Sequence, residues 1–147
     1  SPFLLSGGQM RKVALTAILT MDPDILILDE PTAGLDPRSR EQVMQLFKKL
    51  QLEQHKTVIL VTHDMNDVAR FAEEVKIMQK GSLIESTTPQ QFFSRTEDVQ
   101  ALHLCLPDIV RLQRDIEARL GIQFEKLAMT EEAFATMFKE WRQRHER

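Results

Sequence analysis

Two short, unbroken apolar runs, Ile25-Leu26-Ile27-Leu28 and Val58-Ile59-Leu60-Val61, constrain what this chain can fold into more than anything else in it. Neither alternates with polar residues, and both are flanked by carboxylates, threonines or histidine. That pattern suits strands covered on both faces, as in a parallel sheet. Between them, Asp36-Pro37 reads as a helix N-cap with proline at the first helical position. The helix it opens is expected to bury Val43, Leu46, Phe47 and Leu50. Upstream, Met10, Val13, Ala14, Ala17, Ile18 and Met21 recur at helical spacing, and Asp22-Pro23 ends that helix. Downstream come a short helix through Val68, Phe71 and Ala72 and two extended stretches, Val75–Gln79 and Ser82–Glu85. Lys80-Gly81 between these stretches is a two-residue hairpin signal. The fold class is therefore α/β, with parallel core strands.

From about Thr96 the pattern becomes helical only, which divides the chain into residues 1–95 and a small, mainly helical domain over 96–147. Pro107-Asp108 starts a helix expected to bury Ile109, Leu112, Ile116 and Leu120, with Gly121 as its stop. Thr130 caps a last helix, where Glu131 and Glu132 suit the dipole. Its apolar face is Ala133, Phe134, Met137, Phe138 and Trp141. One-sided helices must bury that side, so the tail is expected to serve as a dimerisation or regulatory surface.

Composition narrows the function classes. The formal charge of −3 leaves no electrostatic footprint for nucleic acid. Apolar runs of four residues are far short of the roughly 20 a membrane-spanning helix needs. A lone cysteine, Cys105, excludes an internal disulfide framework, so a water-soluble protein of a reducing compartment is expected.

Three places carry chemistry. Ser6-Gly7-Gly8-Gln9 stands immediately before the first helix, where glycines admit an anion and the free N–H groups of the helix's first turn point at it. The same residues also read as a serine-capped helix after a tight turn. Asp29-Glu30 ends the first apolar strand, at the edge where open α/β sheets bind ligands. One acid can hold magnesium and the other deprotonate a water, or both are solvated acids at a strand exit. His63 ends the second strand in the same way, either donating to a phosphate oxygen or playing a structural part.

Taken in order, Leu5–Gln9, Ile25–Pro31, Ala33–Asp36 and Val61–Asp64 resemble the C-terminal half of an ATP-binding cassette (ABC) ATPase, a P-loop NTPase. Twenty residues separate Gln9 from Asp29, and thirty-four separate Asp29 from His63, which fits that family. The resemblance implies that Ser6, Gly7, Gly8 and Gln9 are the signature that contacts ATP held by the opposite subunit. It makes Asp29 the acid supporting Mg2+ (through water), Glu30 the general base and His63 the switch histidine. Ala33, Gly34, Leu35 and Asp36 become the D-loop at the dimer seam.

Phe3-Leu4-Leu5, Pro31–Pro37, Thr62–Ala69, Gly81–Ile84, Thr88-Pro89 and Phe92-Phe93 look like the ATPases of energy-coupling factor and cobalt-type importers. Thr87 stands where that family usually has glycine. The implied partners are a second ABC ATPase subunit, homo- or heterodimeric, integral membrane subunits and a substrate-binding membrane component, and no nucleic acid. The implied place is the cytoplasmic face of the membrane, with vitamin or divalent metal ion as cargo. An ABC ATPase of DNA repair or translation is the alternative. The chain has no Gly-Lys pair and so no P-loop. We therefore expect a piece of a longer ATPase, inert without the missing half of its composite site.

Overall fold

The structure, a computed structural model, describes residues 7–145. These fall into two compact units that divide between His63 and Asp64. The change of pattern near Thr96 lies inside the second unit.

The first unit runs α1 (Gly7–Thr20), β1 (Ile25–Asp29), α2 (Pro37–Gln54) and β2 (Thr57–Val61). β1 and β2 pair in parallel, Ile25 opposite Thr57 and Asp29 opposite Val61. Asp36 caps α2 by accepting the Ser39 N–H at 3.0 Å, with Pro37 in the first turn, as the sequence predicts. At the other end His55 takes a left-handed conformation and closes the helix.

The expectation that these strands are covered on both faces is corrected. Leu26 is 2% exposed and Leu28 is buried beside it, but Ile27 between them is 71% exposed. Alternation along a strand puts Ile25, Ile27, Ile59 and Val61 on one side of the pair, and that side is uncovered among the described residues. The covered side meets the helices: Leu26 shares a cavity wall with Leu19 and Leu50, and Leu28 shares one with Leu15 and Val43. Hence α1 turns Leu15 and Leu19 inward. The expected stripe of Met10, Val13, Ala14, Ala17, Ile18 and Met21 is exposed, although Ala14 and Ile18 border the cavity beside Leu15. In α2, Met44 is buried with Val43, Phe47 and Leu50, while Leu46 is only half-buried.

The second unit begins with α3 (Met65–Phe71) and a hairpin of β3 (Val75–Gln79) and β4 (Ser82–Thr87), followed by α4 (Pro89–Ser94), α5 (Thr96–Ala101), α6 (Asp108–Leu120) and α7 (Glu131–His145). α3 buries Met65 and Ala69 and leaves Phe71 and Ala72 half-exposed. Lys80 (φ 49°) and Gly81 (φ 79°) are both left-handed, the pair of conformations that a two-residue turn matching strand twist requires. Thr88 caps α4 reciprocally with Gln91. One apolar cluster holds Met65, Ala69, Ile77, Phe92, Phe93, Val99, Ile109, Val110, Phe124 and Phe134, so hairpin and tail helices share a core.

The buried face of α6 also differs from expectation. Ile109 and Val110 are inside with Gln113 and Glu117, whereas Leu112 and Leu120 are exposed and Ile116 is half-buried. Two buried polar side chains hold because each is saturated. The Gln113 amide donates to Glu117 Oε1 (3.1 Å) and to the Lys126 carbonyl (2.9 Å), and its oxygen accepts the Ala128 N–H (2.8 Å). Glu117 accepts the Phe124 N–H (3.0 Å) and a bond from Arg114 (3.0 Å). Together they clamp the 121–130 connection onto the helix. In α7, Phe134 is buried and Met137, Phe138 and Trp141 are half-buried, while Ala133 is exposed. Thr130 caps this helix through the Ala133 N–H.

Candidate functional site

The parallel register brings the two strand exits to one edge. Asp29 pairs with Val61, so Glu30 and Thr62-His63 leave the sheet side by side. The Glu30 N–H donates to the Val61 carbonyl at 2.9 Å, which extends the ladder by one step. Glu30 then adopts φ 43°, a left-handed conformation that L-residues other than glycine rarely take. Such a residue is held at an energetic disadvantage of roughly 1–3 kcal/mol and persists where its surroundings fix it. What fixes it here is visible. The Glu30 carbonyl accepts the Ala33 N–H in the following turn, and Glu30 Oε1 takes the His63 backbone N–H at 3.1 Å. The same oxygen lies 2.6 Å from His63 Nδ1.

This pairing sets the chemistry of both side chains. A carboxylate only accepts, so with Glu30 ionised Nδ1 carries the proton and Nε2 is the outward nitrogen. The imidazole is 83% exposed, which leaves that nitrogen open to an incoming group. Glu30 keeps its second oxygen for a water. An acid and an imidazole aimed into one edge can orient a nucleophile and contact an oxyanion together.

Asp29, at the end of β1, is exposed. It borders a cavity of about 140 Å3 lined also by Lys12, Leu15, Ile18, Pro31 and Leu35. Among the described residues no group of three His, Cys, Asp or Glu side chains is placed to hold a metal ion. A single strand-end carboxylate fits Mg2+, which usually keeps several waters and takes one or two carboxylates plus substrate phosphates.

The start of α1 and the loop before α2 meet as well. Gly7, Gly8 and Gln9 form the first turn of α1. Ser6 lies outside the described residues. A Cβ on Gly8 would come 3.3 Å from Leu35 Cδ2, so a larger residue there would press on that loop. Within that loop the Leu35 N–H donates to the Thr32 carbonyl, and Gly34 takes φ 72°. Ala33 and Gly34 are exposed, and Asp36 caps α2. The Ser39 hydroxyl and N–H hold the Asp36 carboxyl below its usual range. Three features escape the sequence: the left-handed Glu30, the direct Glu30–His63 bond and the close approach of Gly8 to Leu35. Only the Gly7-Gly8 pair hinted at the last.

The chain is similar to several known proteins. Residues 1–68 match the protein-family profile described as "AAA domain, putative AbiEii toxin, Type IV TA system". The energy-coupling factor transporter ATP-binding protein EcfA2 of Staphylococcus saprophyticus is 60% identical over 97% of this chain and 50% of its own length. EcfA2 of Staphylococcus aureus is 52% identical over 96% and 49%. This chain thus spans about half the length of the curated relatives it matches. Among solved structures, CbiO1 of Clostridium perfringens, part of the ABC transporter complex CbiONQ, is 38% identical at a TM-score of 0.56, over 76% of this chain and 45% of its own. A dimeric ATP-binding cassette in a post-hydrolysis state, bound to ADP and phosphate, is 41% identical at a TM-score of 0.57, over 61% and 38%.

Proposed function

The chain belongs to the ATP-binding cassette ATPases, and from that premise we propose that it is the signature-bearing half of an ATP-hydrolysing subunit that drives an energy-coupling factor importer. The cargo class is a vitamin or a divalent metal ion. One observation supports the reading above others: Glu30 and His63 meet at 2.6 Å on the edge where two parallel strands end.

In this reading Glu30 is the general base. Its Oε1 is anchored by His63, and its free oxygen orients a water in line with the γ-phosphate of ATP. With both ring nitrogens protonated, His63 donates Nε2–H to that phosphate while Nδ1–H stays on Glu30. Gly7, Gly8 and Gln9 turn the start of α1 toward a triphosphate held by the P-loop of the opposite subunit, and Ser6, which precedes them in the sequence, contacts the same ligand. Ala33, Gly34, Leu35 and Asp36 line the seam between the subunits. Asp29 would hold Mg2+ through water; bound with ATP, that ion supplies charge neutralisation on the phosphates. Residues 96–147 are an extension with a dimerisation or regulatory role.

The partners are a second ATPase subunit, integral membrane subunits and a substrate-binding membrane component. Peripheral attachment at the cytoplasmic face is the place this reading implies; no helix among the described residues is long and apolar enough to cross a membrane. The names of the curated relatives favour transport over DNA repair or translation.

The test is Glu30→Gln in the full-length subunit assembled with its partners. ATP binding is retained, and turnover falls by about 10²–10⁴, the usual contribution of a positioned base. Hydrolysis at the wild-type rate would remove Glu30 from this role. The 147 residues alone, with no P-loop lysine or its nest of N–H donors, hydrolyse nothing.

A further inference from the structure

Within the first unit, α1 and the start of α2 touch at two points one helical turn apart. Gly8 and Lys12 stand four residues apart on α1 and so share a face of it. Leu35 in the loop before α2 and Ser39 in the first turn of α2 are four apart as well. Gly8 closes on Leu35, where an added Cβ would come 3.3 Å from Cδ2. At the second point Lys12 Nζ donates to Oγ of the half-buried Ser39 at 3.0 Å. The Lys12 stem also lines the cavity shared by Leu15 and Leu35. The contact thus has an apolar rung and a polar one.

The polar rung runs further. An ammonium only donates, so Ser39 Oγ accepts from Lys12 and keeps its own proton for another acceptor. That acceptor is the Asp36 carboxylate, which takes the Ser39 N–H at 3.0 Å as well. Lys12, Ser39 and Asp36 form a relay with a cation at one end and a carboxylate at the other, an arrangement in which the charges strengthen the bonds between them. Capping α2 needs only Asp36 and the Ser39 N–H, and Lys12 adds nothing to that cap. We propose that Lys12 and Ser39 are positioning residues: they lock the start of α1 to the loop over 33–36, so that both engage the opposite subunit's triphosphate as one piece. This rests on the roles given above to residues 6–9 and 33–36.

The experiment uses the full-length subunit in its membrane complex and reads kcat and KM for ATP. Lys12→Met keeps the apolar stem and removes the ammonium; Ser39→Ala removes the hydroxyl and keeps the N–H that caps α2. Each lowers kcat about three- to fivefold and leaves KM within about twofold, as for an interaction that matters in the transition state only. The double variant K12M/S39A is no slower than the slower single, because one relay is lost once. Lys12→Arg and Ser39→Thr retain the cation and the hydroxyl and turn over as wild type. Wild-type kcat in either Lys12→Met or Ser39→Ala, losses that multiply in the double variant, a rise in KM alone, or conservative variants as slow as the others would each overturn the proposal. Glu30→Gln in the same preparation separates the two levels. If it turns over normally, the reading of the site itself is wrong; if it is inactive while Lys12→Met and Ser39→Ala are normal, only the relay fails.

Discussion

In the first unit an isoleucine, Ile27, stands 71% exposed on a strand, while in the second a glutamine, Gln113, is entirely buried. Hydrophobicity alone would have placed them the other way round. The second unit closes on itself: hairpin, short helices and tail share one apolar cluster, and its interior polar groups are saturated by loop backbone. The first unit carries the candidate chemistry on two strands with helices over one face only. An isolated two-stranded pair is marginal in water, so the helices beside Leu26 and Leu28 supply most of its support. Packing and chemistry are thus unequally shared, with the reacting groups on the less enclosed part.

That contrast can be broken, most forcefully at Phe93, which is fully buried against Phe92 at 5.1 Å between ring centroids. Phe93→Ala lowers the stability of the second unit by about 3–5 kcal/mol. Denaturant titration followed at Trp141, the only tryptophan, measures it. A loss below about 1 kcal/mol would mean that this core is not closed.

Next in size is Glu117→Ala, which leaves the Phe124 N–H and part of the Gln113 amide without an acceptor and removes about 1–3 kcal/mol. It also has an acid signature. Burial pushes the Glu117 carboxyl up, but the Phe124 N–H, Gln113 and Arg114 together draw it below the ordinary carboxylate value. A carboxyl depressed in the folded state stabilises above its unfolded pKa and loses that contribution as pH falls through the folded one. Acid unfolding read at Trp141 should therefore begin at higher pH in the variant than in the parent. Coincident acid transitions would deny the clamp its part.

The smallest effect sharpens the contrast from the other side. Ile27→Ser changes the stability of the 147-residue chain by no more than about 0.5 kcal/mol, the range of exposed substitutions. A large loss, read by hydrogen exchange at the β1 and β2 amides, would show that this face is covered.

Much of this was legible in the sequence where the signal is local. Lys80-Gly81 demanded its turn, Asp36-Pro37 and Thr130 announced their helices, and Gly121 stopped α6 in a left-handed conformation at φ 64°. Glu30 and His63 were legible as strand-end groups. Their direct bond was not, because strand alternation says nothing about a residue that leaves the strand with positive φ. The inward face of α6 was misjudged for a related reason. Gln113 and Glu117 are buried by backbone donors 7 to 15 residues away, and apolar spacing carries no trace of such partners. Likewise, the runs Ile25–Leu28 and Val58–Val61 report that two faces are apolar, not that both are covered.

The left-handed backbone at Glu30 has a consequence for anyone who evolves or screens such a protein for robustness. Glycine fits that conformation without steric conflict, and Glu30→Gly would relieve roughly 1–2 kcal/mol of it. A substitution that relieves the backbone there therefore also deletes the acid and takes the acceptor from the His63 N–H. A library ranked on survival alone has no means of keeping the acid.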